Sequence, residues 1–336
     1  MDLTVVVLAY GDQPHLYRVV DAILASRGVE VSVVVVDNGC TSPSLDDLRD
    51  RPGVLLLEPG ENTGFTGGCN LGAAASDSTF VAFVNSDAVV EADALAELVG
   101  VAARPPVGLA SASLRLADTP ELLNSAGNPV HVLGLSWAGH LGEPAEAFPV
   151  ERPVPSATGA AVALRREVWE ELGGFTERFF AYSEDADLSL RAWQLGYEVR
   201  YVPSAVVLHH YEFGRNPLKM YLLERNRLLM ILSLYERRTL ALLFPALVAF
   251  EAAMCAVAAA GGWLPAKVRG YRWIVRERRW LQTHRRAVQL ARRRSDRELA
   301  HLLTAHFDQQ VLPLPVGGAF LNRMMAGYWR VVRSAL

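Results

Sequence analysis

The chain has 336 residues, 51% hydrophobic, 21% charged and 9% aromatic, enough for one large domain with an appendage or for two domains, and unlike a disordered, collagenous or disulfide-scaffolded protein. Cys40, Cys69 and Cys255 show no CxxC spacing and form no even set, which points to a reducing compartment, and the start MDLTVVVLAYGDQ lacks the flanks of a signal peptide, so a cytoplasmic protein is expected. The net charge of −3 hides an asymmetry: residues 267–297 hold twelve Lys or Arg against Glu277 and Asp296, a net of +10, and such a block seeks an anionic surface, lipid or nucleic acid.

In chain order, the apolar runs LTVVVLA, VSVVVVD, VLLLE and FVAFVNSD predict strands of a parallel sheet covered on both faces. Between them Pro14 to Ser26 and Asp93 to Ala103 repeat apolar residues at helical spacing, so a doubly wound α/β sheet is expected, with ligands at the carboxyl ends of its strands. Those ends carry Tyr10 with Asp12, Asp37 with Asn38, and Asn85 with Asp87. From Pro105 to Pro155 the pattern weakens to loops and short strands. SATGAAVALRREVWEELGGF predicts a strand and a helix stopped by Gly173 and Gly174. EDADLSLRAWQLG predicts a helix whose three opening acids suit its dipole, and EVRYVP and AVVLHH two further strands. Arg215 to Arg238 predicts an amphipathic helix. Residues 239–262 are apolar except for Glu251, with Pro245 in the first third.

Four blocks stand in fixed order: VVVVDNGC at 33–40, ENTGFTGGCNLG at 61–72, FVNSDAVV at 83–90 and the run from Gly173 to His210. Together they resemble the family 2 inverting glycosyltransferases with a GT-A fold, and within them the bacterial rhamnosyltransferase-like branch of cell-wall and surface polysaccharide synthesis. The resemblance spans about residues 3–235.

For Asp37 the resemblance implies acceptance of the N3 proton of uracil or thymine; the alternative offered by the residue type alone is a helix N-cap. The glycine-rich block, with Asn62, Gly64, Gly67, Gly68 and Asn70, is expected as a loop lining the donor pocket, its N–H groups open to a diphosphate. Ala9, Tyr10 and Asp12 join the donor site. Asn85-Ser86-Asp87 stands where the family has its DXD metal motif, with Asn in place of the first acid; a hard cation, Mg²⁺ or Mn²⁺, would neutralise the leaving diphosphate. By resemblance His209 completes that metal site with Asp87. Glu184 and Asp185 differ by about 100° around a helix and cannot share one task. The resemblance makes Asp185 the general base, with Glu184 as runner-up. Asp187 is expected to pair with Arg191 one turn on.

Residues 239–262 followed by the basic block read either as a membrane-associating element or as a packed helical subdomain or dimer interface. The expected architecture is therefore a GT-A catalytic domain, 1–214, and a mainly helical C-terminal region, 215–336. It implies a metal-assisted, inverting glycosyltransferase on the inner face of the membrane. The donor would be a nucleoside diphosphate sugar, with dTDP or UDP and dTDP-rhamnose first, then galactofuranose, mannose or glucose donors. The acceptor would be a hydroxyl of a glycan or lipid-linked glycan. Nucleotidyl transfer would need a basic phosphate signature near the N-terminus, where only Arg18 stands. An inactive scaffold has Asn85 in its favour and the intact EDAD cluster against it. No recognition motif supports nucleic acid, and a homo-oligomer stays open.

Overall fold

The computed structural model describes residues 1–211, 216–308 and 318–336. The chain forms two compact units. The first takes in Met1–Asn128, Ala138–Ala192 and the strand that begins after Tyr197; the second takes in Pro129–Trp137, Trp193–Gly196 and the C-terminal helices.

The first unit is built on a ten-stranded mixed sheet. Its strands are β1 (Asp2–Gly11), β2 (Glu30–Cys40), β3 (Val54–Leu57), β4 (Phe80–Val84), β5 (Ala88–Val90), β6 (Val107–Leu116), β7 (Thr119–Ser125), β9 (Arg152–Pro153), β10 (Ala161–Arg165) and β11 (Glu198–His209); β8 (Val130–His131) belongs to the second unit. The order is β3-β2-β1-β4-β10-β6-β11-β5, with β7 on β6 and β9 on β11. β1 pairs in parallel with β2 on one side and β4 on the other. The order reverses there, and at such a switch the crevice opens beyond the carboxyl ends of the strands. The apolar runs form these strands because both faces are covered: all five residues of β4 are buried. Among the covering helices α1 (Leu16–Leu24) buries Leu16, Val19, Val20 and Ile23, one face at helical spacing.

Three expectations are corrected here. The stretch from Pro105 to Pro155, expected as loops and short strands, opens with the ten-residue β6, buried over its first eight positions. EVRYVP and AVVLHH are one strand, β11, whose pairing with β6 slips between Val202 and Val206, so Pro203 occupies an irregularity where its missing N–H is tolerated. The glycine-rich block is a helix. After α2 (Ser44–Leu48), α3 runs Gly64–Ala74, with Gly64, Gly67, Gly68 and Gly72 buried. Gly72 lets it lie against the sheet, for a Cβ there would stand 2.4 Å from a methyl of Val6. Then follow α4 (Ala94–Ala102), α5 (Arg166–Leu172) and α6 (Glu184–Leu195).

The second unit holds α7 (Pro217–Leu234), α8 (Arg237–Ala260), α9 (Leu264–Arg276), α10 (Arg278–Ala291), α11 (Asp296–Leu299) and α12 (Gly318–Ala335), with β12 (Leu303–Thr304) paired to β8. α7 begins one residue after Asn216, whose side chain accepts from Lys219 N–H at 2.8 Å. Arg215 lies outside the described residues. α7 is not amphipathic: Glu224, Arg225, Asn226 and Arg227 are all buried. Burial of charge demands pairing, and it is met across three helices. Lys267 of α9 bonds Glu224 and stands 2.9 Å from Glu251 of α8, which also bonds Arg227 and Tyr271.

Candidate functional site

At the carboxyl end of β4 the chain turns sharply, with Ala88 N–H donating to Asn85 O at 3.0 Å. The turn is fastened on two sides. Buried Ser86 donates its hydroxyl to Gln13 Oε1 at 2.6 Å in the loop after β1, and Asn85 N–H donates to Ala160 O at 2.9 Å. Asp87 therefore stands fixed at the sheet edge with its carboxylate partly exposed. His209, the last residue of β11, approaches it, Nε2 lying 3.2 Å from Asp87 Oδ1. The other ring nitrogen, Nδ1, is 2.9 Å from Oδ1 of buried Asn124 on β7, which fixes the ring plane. The next residue, His210, stacks on His15 with ring centres 3.7 Å apart.

The acidic helix reaches the same place by a strained route. Phe180, Tyr182 and Ser183 have φ of 66°, 70° and 65°, conformations that cost a non-glycine residue of order 1–3 kcal/mol each. α3 secures the start of this segment. Thr66 N–H donates to Phe180 O at 3.1 Å and Thr66 Oγ1 to Glu177 O at 3.1 Å. Gly64, at φ 75°, leaves the room: a Cβ there would lie 2.5 Å from Phe180 O.

Glu184 and Asp185 then receive different surroundings, as their angular offset requires. Glu184 is buried with Oε2 unpartnered. Burial, then the charges of Asp185 and Asp187, push its pKa up to about 8, so it keeps its proton at neutral pH. Asp185 is half-buried and heavily bonded. Its Oδ2 accepts from Asn128 Nδ2 at 3.2 Å and Gly159 N–H at 3.4 Å, and its Oδ1 from Ala186 N–H at 2.8 Å. Burial raises its pKa while these donors oppose the rise by favouring the charged form. Asp187 is fully buried against Arg191, Nε to Oδ2 2.9 Å, and so is structural.

Two adjacent residues bind these halves together. Gly159 N–H meets Asp185, and Ala160 O receives Asn85 N–H. Asp87, His209 and Asp185 thus share one neighbourhood. Asp87 and His209 offer a hard oxygen and an imidazole nitrogen converging on one point, and no cluster of three metal-ligating side chains occurs among the described residues. The chemistry of this donor pair suits a divalent cation, which would need further ligands beyond these two side chains.

The nucleotide-side candidates divide. Asp37 lies within β2, opposite Ala9, and its Oδ1 accepts from Gly39 N–H at 3.0 Å and Cys40 N–H at 2.7 Å, an Asx turn and not a helix cap. Tyr10 is 55% exposed, and its ring lies 3.8 Å from where a Cβ on Gly39 would stand. Exposed Asp12 accepts from Ser42 Oγ at 2.8 Å. Ala9 is fully buried. The polar groups of the glycine block are turned inward. Asn62 Oδ1 accepts from Asn38 at 2.9 Å, and Asn70 bonds both N–H and O of Phe175 at 2.9 Å. Gly67 and Gly68 are buried within α3. An open cavity of about 1180 Å³, walled by Arg104, Arg115, Glu121, Phe148 and Tyr201, contains none of these residues.

Sequence reasoning missed Asn124, Asn128 and Gly159. Single polar residues in a stretch without periodicity carry no signal, and only the pairing of β6 with β7 and β11 brings Asn124 to His209.

Known proteins resemble this chain in sequence and in fold. A family model described as "Glycosyltransferase like family 2" matches residues 2–230. The N-acetylglucosaminyl-diphospho-decaprenol L-rhamnosyltransferase of Mycobacterium tuberculosis (strain ATCC 25618 / H37Rv) is 32% identical over 243 residues, 64% of this chain and 78% of that protein. Among solved structures, mannosyltransferase PcManGT of Pyrobaculum calidifontis, in complex with GDP-Man and Mn²⁺, superposes with a TM-score of 0.53 at 22% identity over 86% of this chain and 85% of its own. GalNAc-T7 with UDP, GalNAc and Mn²⁺ superposes with a TM-score of 0.59 at 16% identity over 72% of this chain and half of its own. These last two speak to the fold, which is GT-A.

Proposed function

Since the chain belongs to the glycosyltransferase like family 2, we propose that it transfers L-rhamnose from dTDP-rhamnose, with inversion, to a hydroxyl of a lipid-linked glycan in cell-wall or surface polysaccharide synthesis. The observation that carries this reading is the joining of the Asp87–His209 pair to Asp185 through Gly159 and Ala160. The sugar and the acceptor class follow from the name of the mycobacterial relative.

A transfer with inversion needs one base, and Asp185 is that base. As a carboxylate it takes the acceptor hydroxyl proton while the oxygen attacks the anomeric carbon, and its N–H donors favour that charged form. Glu184 stays neutral beneath it, which spares the site a second negative charge. On the leaving side Asp87 and His209 would hold Mg²⁺ or Mn²⁺, and the cation when bound supplies charge neutralisation for the departing diphosphate. Asn124 keeps His209 turned toward that position, and Asn85 in place of an acid leaves the site dependent on the diphosphate for its remaining ligands. Tyr10 stacks on the base and Asp37 accepts its N3 proton through the oxygen that the Asx turn leaves unused.

Thermal stabilisation by a panel of nucleotide sugars with Mg²⁺ or Mn²⁺ tests the donor. A ligand at about 100 times its dissociation constant adds about 2.7 kcal/mol. dTDP-rhamnose should give the largest shift, and a larger shift from a UDP or GDP sugar would replace rhamnose.

A further inference from the structure

The second unit exposes an apolar surface that the glycosyl transfer does not use. α8 has mean hydropathy 2.2 over its most apolar stretch, of which 11% is buried. Its inward positions include Leu243, Met254, Ala258 and the ion-paired Glu251. The outward face, with Phe244, Pro245, Val248, Ala252, Ala256 and Val257, has no charged residue between 239 and 260. Because Glu251 is tied to α7 and α9, α8 does not stand free to cross a bilayer alone.

α12 lies beside it, Tyr328 Oη donating to Leu242 O of α8, and is anchored by buried Asn322, which bonds Phe307 N–H at 2.8 Å and Phe307 O at 3.1 Å. Its buried residues Asn322, Met325, Trp329 and Val332 form one face. At about 100° per residue, Phe320, Met324 and Val331 fall opposite, and all three are exposed. Arg323 and Arg330 line one flank of that face, Arg333 lies further round toward the buried side, and the helix holds no acid.

The basic block of residues 267–297, by contrast, is partly consumed inside the unit. Lys267 is in the ion cluster, and Arg285, Arg292, Arg293 and Arg294 donate to the carbonyls of Leu232, Leu234, Leu195 and Gly196.

We propose that the outer face of α8 and the arginine-flanked face of α12 together dock on the surface of an anionic bilayer, lying in the interface without crossing it. Exposed apolar side chains supply burial in the acyl boundary, and cationic side chains beside them meet lipid phosphates. A helix face free of acids, with Arg323 and Arg330 on its border, complements negative charge.

The test is co-sedimentation of the full chain with vesicles of phosphatidylcholine plus phosphatidylglycerol, against phosphatidylcholine alone. Binding should require the anionic lipid and weaken with salt. Each α12 arginine neutralised should weaken it about fivefold, so Arg323→Gln with Arg330→Gln should lose about 25-fold. Phe320→Ser should weaken it too, while Arg286→Gln on α10 should leave it unchanged. Should the double variant melt early, Arg330→Gln alone should still lose about fivefold. Failure of the full chain to bind anionic vesicles, or equal binding by the α12 variants, would overturn the proposal. So would a stable dimer in solution that these variants dissociate, which would make the face a subunit interface. Vesicle binding is read without sugar transfer, so either result leaves the catalytic reading where it stands.

Discussion

Two neighbouring carboxyl groups at the start of one helix meet different surroundings. Glu184, buried with an unpartnered oxygen, stays protonated to about pH 8, whereas three N–H groups converge on Asp185. Asp185→Asn should therefore lower kcat by about 10²-fold to 10⁴-fold with donor affinity retained, as steady-state kinetics beside calorimetric donor titration would report. Glu184 adds a dependence of stability on pH. Its folded pKa exceeds the ordinary 4.5, so the native state binds more protons than the unfolded one across that interval and loses stability as pH rises through it to about 8. Glu184→Gln removes this loss. Melting curves of variant and native protein should diverge progressively from about pH 4.5 to about pH 8, and a constant difference would contradict the assignment. On the leaving-group side, Asn124→Ala frees the His209 ring and should weaken Mn²⁺-dependent donor binding about 10-fold to 100-fold, with EDTA abolishing transfer in the native protein. Asp87, His209 and Asp185 were legible as candidates through the resemblance carried by the blocks that hold them. Asn124 and Asn128 were not, since their partners lie 85 and 57 residues away.

The glycine-rich segment shows what an element's sequence can hide. Four glycines in nine residues predict a loop by propensity, yet α3 forms because its buried face lies too close to β1 for side chains. Packing overrides propensity, and the price appears in Gly72. Gly72→Ala places a methyl 2.4 Å from Val6, a stiff, buried neighbour, and should destabilise by about 1–3 kcal/mol. Gly100→Ala on α4 meets nothing within 4 Å and should stabilise by about 0.5–1 kcal/mol. Denaturant titration of both variants separates the two effects. The length of β6 and the joining of the two expected strands into β11 were not legible: Ser111, Ser113 and Pro203 break the apolar run, while long-range pairing makes each one strand.

Across the chain, the parallel βα start and the acidic helix were readable from periodicity and caps, and the change to helices after His210 was plain. The charge asymmetry was read correctly as a feature and incompletely as a surface, because folding turns five of its basic side chains toward partners in the second unit and leaves α12, which shows no such block, with its arginines outward. The reading of the first unit rests on one chemical claim, in-line displacement assisted by the single base Asp185. The most direct measurement follows slow hydrolysis of dTDP-rhamnose, without acceptor, by proton NMR of the first-formed free sugar before it mutarotates. An anomer opposite to that of the donor is predicted, disappearing in Asp185→Asn; release of the donor's own anomer would contradict the account.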